Sequence, residues 1–133
     1  MPSKILFLED EETLGRIYTR HMTEAGFIVS WAQDIPTLNR FIETTKADIV
    51  ILDHGVQDET QDGLDLIPAL KQKMPHATFV MLSNFSPFHL EKRALKIGVD
   101  AYYVKLTTPP PLLVRNLKKL LLEKHGEQGS AQV

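Results

Sequence analysis

Short unbroken apolar runs alternate along the chain with longer stretches whose apolar positions recur every three or four residues. The runs are KILFLED (4–10), FIVSWA (27–32), ADIVILD (47–53), ATFVMLS (77–83) and DAYYVKL (100–106). A strand without polar alternation is buried on both faces, as parallel strands are when helices cover both sides of their sheet. The intervening stretches read as helices. EETLGRIYTRHMTEAG (11–26) puts Leu14, Ile17, Tyr18, His21 or Met22, and Ala25 on one stripe, and Gly26 closes it. Asp34 is placed to cap the next helix, with Pro36 in its first turn and Leu38, Phe41 and Ile42 on one face. LDLIPALKQKMP (64–75) carries Pro68 either as a kink or in its first turns. PFHLEKRALKIG (87–98) has Asn84 or Ser86 as cap and Gly98 as terminator, and LLVRNLKKLLLEKHG (112–126) is the last helix. Strand and helix alternating five times, with no internal repeat, predict an α/β fold around a five-stranded parallel sheet with five helices.

Composition narrows the function more than the fold. At 133 residues, 43% hydrophobic and 24% charged, the chain is of single-domain size and able to bury a real core. A formal charge of -2 gives no surface for coating nucleic acid. The absence of cysteine removes disulfides, thiolate nucleophiles and cysteine-held metals. No apolar run approaches the roughly 20 residues that span a bilayer, and MPSKILFLED turns acidic too soon for a signal peptide. A cytoplasmic setting is the expectation. The tail after Leu122 is polar and rich in small residues, so 1–122 is expected as the domain and 123–133 as a flexible tail.

In a parallel α/β sheet ligands bind at the carboxyl ends of the strands. Those ends carry Glu9 and Asp10, Asp53, Ser83 and Asn84, and Lys105. Taken singly, each has an ordinary reading: Asp53 a turn or cap residue, Asp10 the acidic start of a helix, Lys105 a surface charge, Ser83 a turn hydroxyl. Taken together they suit phosphoryl transfer. Asp10 and Asp53 offer oxygen ligands to Mg²⁺, with Glu9 acting mostly through water. Lys105 is a point charge for a phosphoryl oxygen or a carboxylate, and Ser83 is a hydroxyl donor.

The ordered set of strand-end residues, with the stretch ALKIGVDAYYVK (94–105), resembles the receiver domain of two-component response regulators from Lys4 to about Leu122. The resemblance implies a flavodoxin-like sheet in the order 2-1-3-4-5. It implies a protein that catalyses only its own phosphorylation and dephosphorylation. Glu9 and Asp10 match the family's acidic pair, Asp53 its phosphoacceptor, and Gly55 the residue whose carbonyl completes the Mg²⁺ ligands. Ser83 and Lys105 match its hydroxyl and lysine, and Tyr102 its aromatic switch. The implied partners are a histidine kinase or histidine phosphotransfer protein and a downstream protein target. Direct nucleic-acid and membrane contacts are not expected, and the chain is expected as a monomer or weak dimer.

Several positions depart from the family's pattern. HGVQDETQDG (54–63) lacks the usual proline, and Gly63 comes about two residues late; Asp58, Glu59 and Asp62 make the loop acidic, read as a solvated insertion. Asn84 is bulkier than the small residue expected after Ser83. Leu106 stands where the family has a cis-proline, so either a trans bond with a shifted loop or a strained cis bond is expected. His54 is read as structural or surface, and the other histidines show no metal spacing. These departures keep open a phosphorylation-independent interaction module of the same fold. A phosphate-ester hydrolase is a further alternative, though no insertion is large enough to build its pocket.

Overall fold

The computed structural model describes residues 2–53, 55, 64–84 and 88–131, with backbone alone at 88–90 and 125–131. The expectations for His54, the acidic loop 56–62, Gly63 and Ser86 lie outside the described residues. The elements alternate as β1 (Lys4–Leu8), α1 (Glu12–Glu24), β2 (Ile28–Ala32), α2 (Ile35–Thr44), β3 (Ile49–Leu52), α3 (Ile67–Lys73), β4 (Thr78–Ser83), α4 (Phe88–Ile97), β5 (Ala101–Val104) and α5 (Pro110–Ala131). The sheet is parallel throughout, in the order β2-β1-β3-β4-β5.

Alternation within the strands builds two cores. Phe7, Ile49, Ile51, Val80 and Leu82 pack on one face with Tyr18 and Met22 of α1 and Leu113 and Leu117 of α5. Leu6, Leu8, Val50, Leu52, Phe79 and Met81 pack on the other with Leu38 of α2, Leu70 of α3 and Ala94 of α4. The three central strands thus have no exposed face, which is why their sequences are continuous apolar runs.

Local chemistry sets the ends of the helices. Asp34 caps α2 by accepting from the Thr37 N–H at 2.7 Å, and Pro36 sits in that first turn. Gly26 and Gly98 leave α1 and α4 at φ of 101° and 115°, values that L side chains rarely adopt. Pro68 lies in the first turn of α3 and does not kink it.

Four expectations are corrected. The buried seam of α1 is Gly15, Tyr18 and Met22, with Gly15 against Trp31 of β2 and Tyr18 against Phe7 of β1, and Ile17 is 41% exposed. Residues 64–66 form a turn before a shorter α3. β5 stops at Val104, so Lys105 starts a 3-10 turn over Lys105–Thr107, and no cis peptide occurs among the described residues. Finally, α5 spans Pro110–Ala131 where a helix over 112–126 was expected, starting at a proline that needs no hydrogen-bonded N–H.

Candidate functional site

The end of β1 lies between β2 and β3, so a residue following β1 meets neighbours from both. Glu9 N–H donates to the Ala32 carbonyl at 3.0 Å and Asp53 N–H to the Leu8 carbonyl at 3.1 Å, which extends the ladders by one bond on each side. Glu9 and Asp53 are thereby drawn side by side, 0% and 3% exposed. Two adjacent buried carboxylates repel each other, and Lys105 answers them. Its Nζ stands 2.5 Å from Glu9 Oε1 and 2.8 Å from Asp53 Oδ2. The Asp53 contact is also a hydrogen bond, whereas Glu9 Oε1 is held by charge without hydrogen-bond geometry.

The remaining carboxylate oxygens meet main-chain donors. Asp53 Oδ1 accepts from the Gly55 N–H at 2.8 Å, and Glu9 Oε2 accepts from the Glu11 N–H at 3.2 Å. Burial pushes the Glu9 carboxyl up to about 7, against the pull of Lys105 and with the help of the Asp53 charge. Burial disfavours the Lys105 ammonium too, yet Asp53 and Glu9 outweigh it and hold its pKa above the ordinary value.

Asp10 differs from its neighbour: it is exposed. Its carboxylate nevertheless joins those of Glu9 and Asp53 in a cluster whose ligand atoms lie within 4.8 Å of one another. Three carboxylates against one ammonium leave two negative charges when all are ionised. Hard oxygen donors with that residual charge fit a divalent cation such as Mg²⁺. Gly55, whose carbonyl was expected as a further ligand, is exposed in the turn beside Asp53.

The two remaining expected residues lie toward the opposite face. Ser83 ends β4, is 3% exposed and has the parity of Met81. Tyr102 pairs in register with Met81, is half-buried, and packs on the α2–α3–α4 cluster. The site therefore brings Glu9, Asp10, Asp53 and Lys105 together directly. Ser83 and Tyr102 stand on neighbouring strands beside them.

Two contacts at the site were not read from the sequence. Trp31 of β2 donates its Nε1–H to the Glu9 carbonyl at 2.9 Å. Tyr18 lies on the apolar stripe of α1, and its hydroxyl donates to the Thr108 carbonyl at 2.8 Å and so ties α1 to the loop that follows Lys105. Burial raises the Tyr18 pKa, which keeps that hydroxyl a donor. One signal was available for the first contact: a glycine inside the α1 pattern, which marks close approach by another element. A surface depression of about 400 Å³ lies elsewhere, against Phe27 and α5, with Lys118 its one charged lining residue and none of the acids.

Residues 5–117 match the family model described as the response regulator receiver domain. Over 112 residues the chain is 30% identical to the transcriptional regulatory protein CusR of Escherichia coli, covering 84% of this chain and 48% of that one. It is 34% identical over 103 residues to the transcriptional activator protein IrlR of Burkholderia pseudomallei, covering 77% and 43%. The chain thus spans about half the length of these curated relatives. Among solved structures it is similar to a receiver domain protein (CheY-like) from Methanospirillum hungatei, with a TM-score of 0.86, 20% identity, and 96% and 99% of the two chains covered. It is also similar to the BeF3-activated N-terminal receiver domain of RstA from Klebsiella pneumoniae, with a TM-score of 0.77, 25% identity, and coverage of 86% and 95%.

Proposed function

The chain belongs to the response regulator receiver family, and on that premise we propose that Asp53 accepts a phosphoryl group from a phosphohistidine on a histidine kinase or phosphotransfer protein. The observation that carries this reading is a buried carboxylate sharing one ammonium with Glu9 at the carboxyl end of the sheet. Receiver domains catalyse only their own phosphorylation and dephosphorylation, so the chemistry is one transfer per cycle.

In that transfer an Asp53 oxygen forms a bond to phosphorus. The phosphorus–nitrogen bond of the donor breaks, and its electron pair stays on the imidazole. Asp10, Asp53 and the Gly55 carbonyl would hold Mg²⁺, with Glu9 behind them. Bound there, the cation neutralises charge that would otherwise repel the incoming phosphoryl oxygens. Lys105, now paired with Asp53 Oδ2, passes its contact to a phosphoryl oxygen as the carboxylate charge is lost. Ser83 turns toward the same group, and Tyr102 moves into the space it vacates. The face formed by α4, β5 and α5 then changes shape for a downstream protein.

Docking of the phosphodonor near α1 and the strand-end loops is supported by exposed apolar side chains there, Ile17 at 41% and Leu106 at 89%. No helix among the described residues is long and apolar enough to cross a membrane.

Intact mass after incubation with Mg²⁺ and acetyl phosphate tests the proposal. The expected result is a gain of one phosphoryl group, stable to acid, labile to base, and lost in Asp53→Asn and in EDTA. No adduct, together with no response to beryllofluoride, would leave a phosphorylation-independent interaction module as the better reading.

A further inference from the structure

Trp31 is half-buried, stands opposite Phe7 in the parallel register, and immediately precedes the last residue of β2. Its indole N–H meets the Glu9 carbonyl one residue beyond the end of β1. That carbonyl belongs to the peptide unit joining Glu9 to Asp10, and the unit is planar. Holding its C=O direction constrains ψ of Glu9 and φ of Asp10, the torsions that set where the two carboxylates leave the main chain. The indole reaches this position because α1 has no side chain at Gly15. A Cβ there would lie 2.0 Å from Trp31 Cζ2 and 2.6 Å from Nε1. Glycine is a poor residue for a helix interior, and here it occupies the buried seam that receives the ring.

We infer that Trp31, admitted by Gly15, is a positioning residue for a divalent cation at Glu9, Asp10 and Asp53. It keeps two like charges on adjacent residues divided in role, Glu9 turned onto Lys105 in the interior and Asp10 left exposed to receive the ion. Trp31 touches neither the ion nor the phosphoryl group; it acts through the peptide between the acids. This inference rests on the metal-assisted reading given above.

The test is calorimetric titration of the full chain with MgCl₂ at about pH 8, for wild type, Trp31→Phe and Gly15→Ala. Trp31→Phe keeps a ring and removes the donor. Its Mg²⁺ affinity is expected to fall roughly threefold to tenfold, the factor carried by one net hydrogen bond. Its phosphorylation rate by acetyl phosphate at saturating Mg²⁺ is expected to stay within about twofold of wild type, since the catalytic groups are intact. A purely structural role would lower the melting temperature and leave the Mg²⁺ affinity unmoved. Unchanged affinity in folded Trp31→Phe overturns the inference. If that variant does not fold, Gly15→Ala decides, because it displaces the ring and keeps the donor: weaker Mg²⁺ binding supports the inference and unchanged binding overturns it. A wild type that binds no Mg²⁺ overturns the metal-assisted reading with it. A wild type that binds Mg²⁺ beside unaltered variants removes only the role of Trp31.

Discussion

On the α1–α5 face of the sheet, two ring-bearing side chains donate to carbonyls next to the charge cluster, Trp31 to Glu9 and Tyr18 to Thr108, at 2.9 and 2.8 Å. On the α2–α3–α4 face stand Ser83, which has the parity of Met81, and Tyr102, which packs on the larger core. The first face fixes main chain on either side of the charges. The second carries the groups proposed to move once the charge changes. A receiver needs both properties, and here they are separated by the thickness of one sheet. Rigidity where the acids hang keeps the chemistry in register. Adjustable packing on the far side lets that chemistry be read.

The largest expected break in this comparison comes from the charge cluster itself. Lys105→Met leaves Glu9 and Asp53 buried without their shared cation, a loss of about 3 kcal/mol near pH 8. Urea unfolding should show it, and the loss should shrink toward pH 5, where Glu9 takes up a proton. An equal loss at both pH values would mean that the ammonium does not neutralise a buried carboxylate.

The pH dependence of the unaltered protein comes next. Glu9 has its pKa raised from 4.5 to about 7 in the folded state, so the folded protein binds the extra proton between those values. Without added metal, the contribution of Glu9 to stability is therefore full below about 4.5 and falls as the pH rises to about 7, by at most on the order of 3 kcal/mol. Saturating Mg²⁺ should flatten that slope, because the cation binds the ionised carboxylates. Melting temperatures across this range, with and without MgCl₂, measure both limbs.

Tyr18→Phe should cost about 1 kcal/mol by removing one buried hydrogen bond while keeping the ring against Phe7. The variant should unfold at lower urea, and its loop after Lys105 should exchange amide protons faster. The smallest effect sharpens the contrast from the other face. Tyr102→Phe keeps the ring and the packing, and should leave the Mg²⁺ concentration for half-maximal phosphorylation unchanged. A shift there as large as that of Trp31→Phe would erase the distinction between the two faces.

The sequence displays most of this fold because parallel strands buried on both sides leave a signal that needs no partner to read. Ile5 to Leu8 and Ile49 to Leu52 have no polar position to interrupt them, and they are 0% exposed. Glu9, Asp10, Asp53 and Lys105 were legible as well, because ionisable residues ending such runs have few other reasons to converge. What periodicity could not reveal was the division of labour between Glu9 and Asp10. They are chemically alike and adjacent, yet one is buried and the other exposed. The reach of Trp31 was hidden for a related reason: its partner is a main-chain carbonyl, which has no letter in a sequence. The expected end of β5 lies two residues too far on because Leu106 adds an apolar letter after Lys105, although that side chain is 89% exposed in the 3-10 turn.

Trp31 is the chain's single tryptophan. Light absorbed selectively by indole is therefore absorbed at one address, a hydrogen bond away from the peptide that links the two acids. The protein's near-ultraviolet emission is thus a local voltmeter and not an average over the fold. A change of charge among Glu9, Asp10 and Asp53 acts on the excited ring from nearby, so the colour and yield of its emission follow the site without an attached dye.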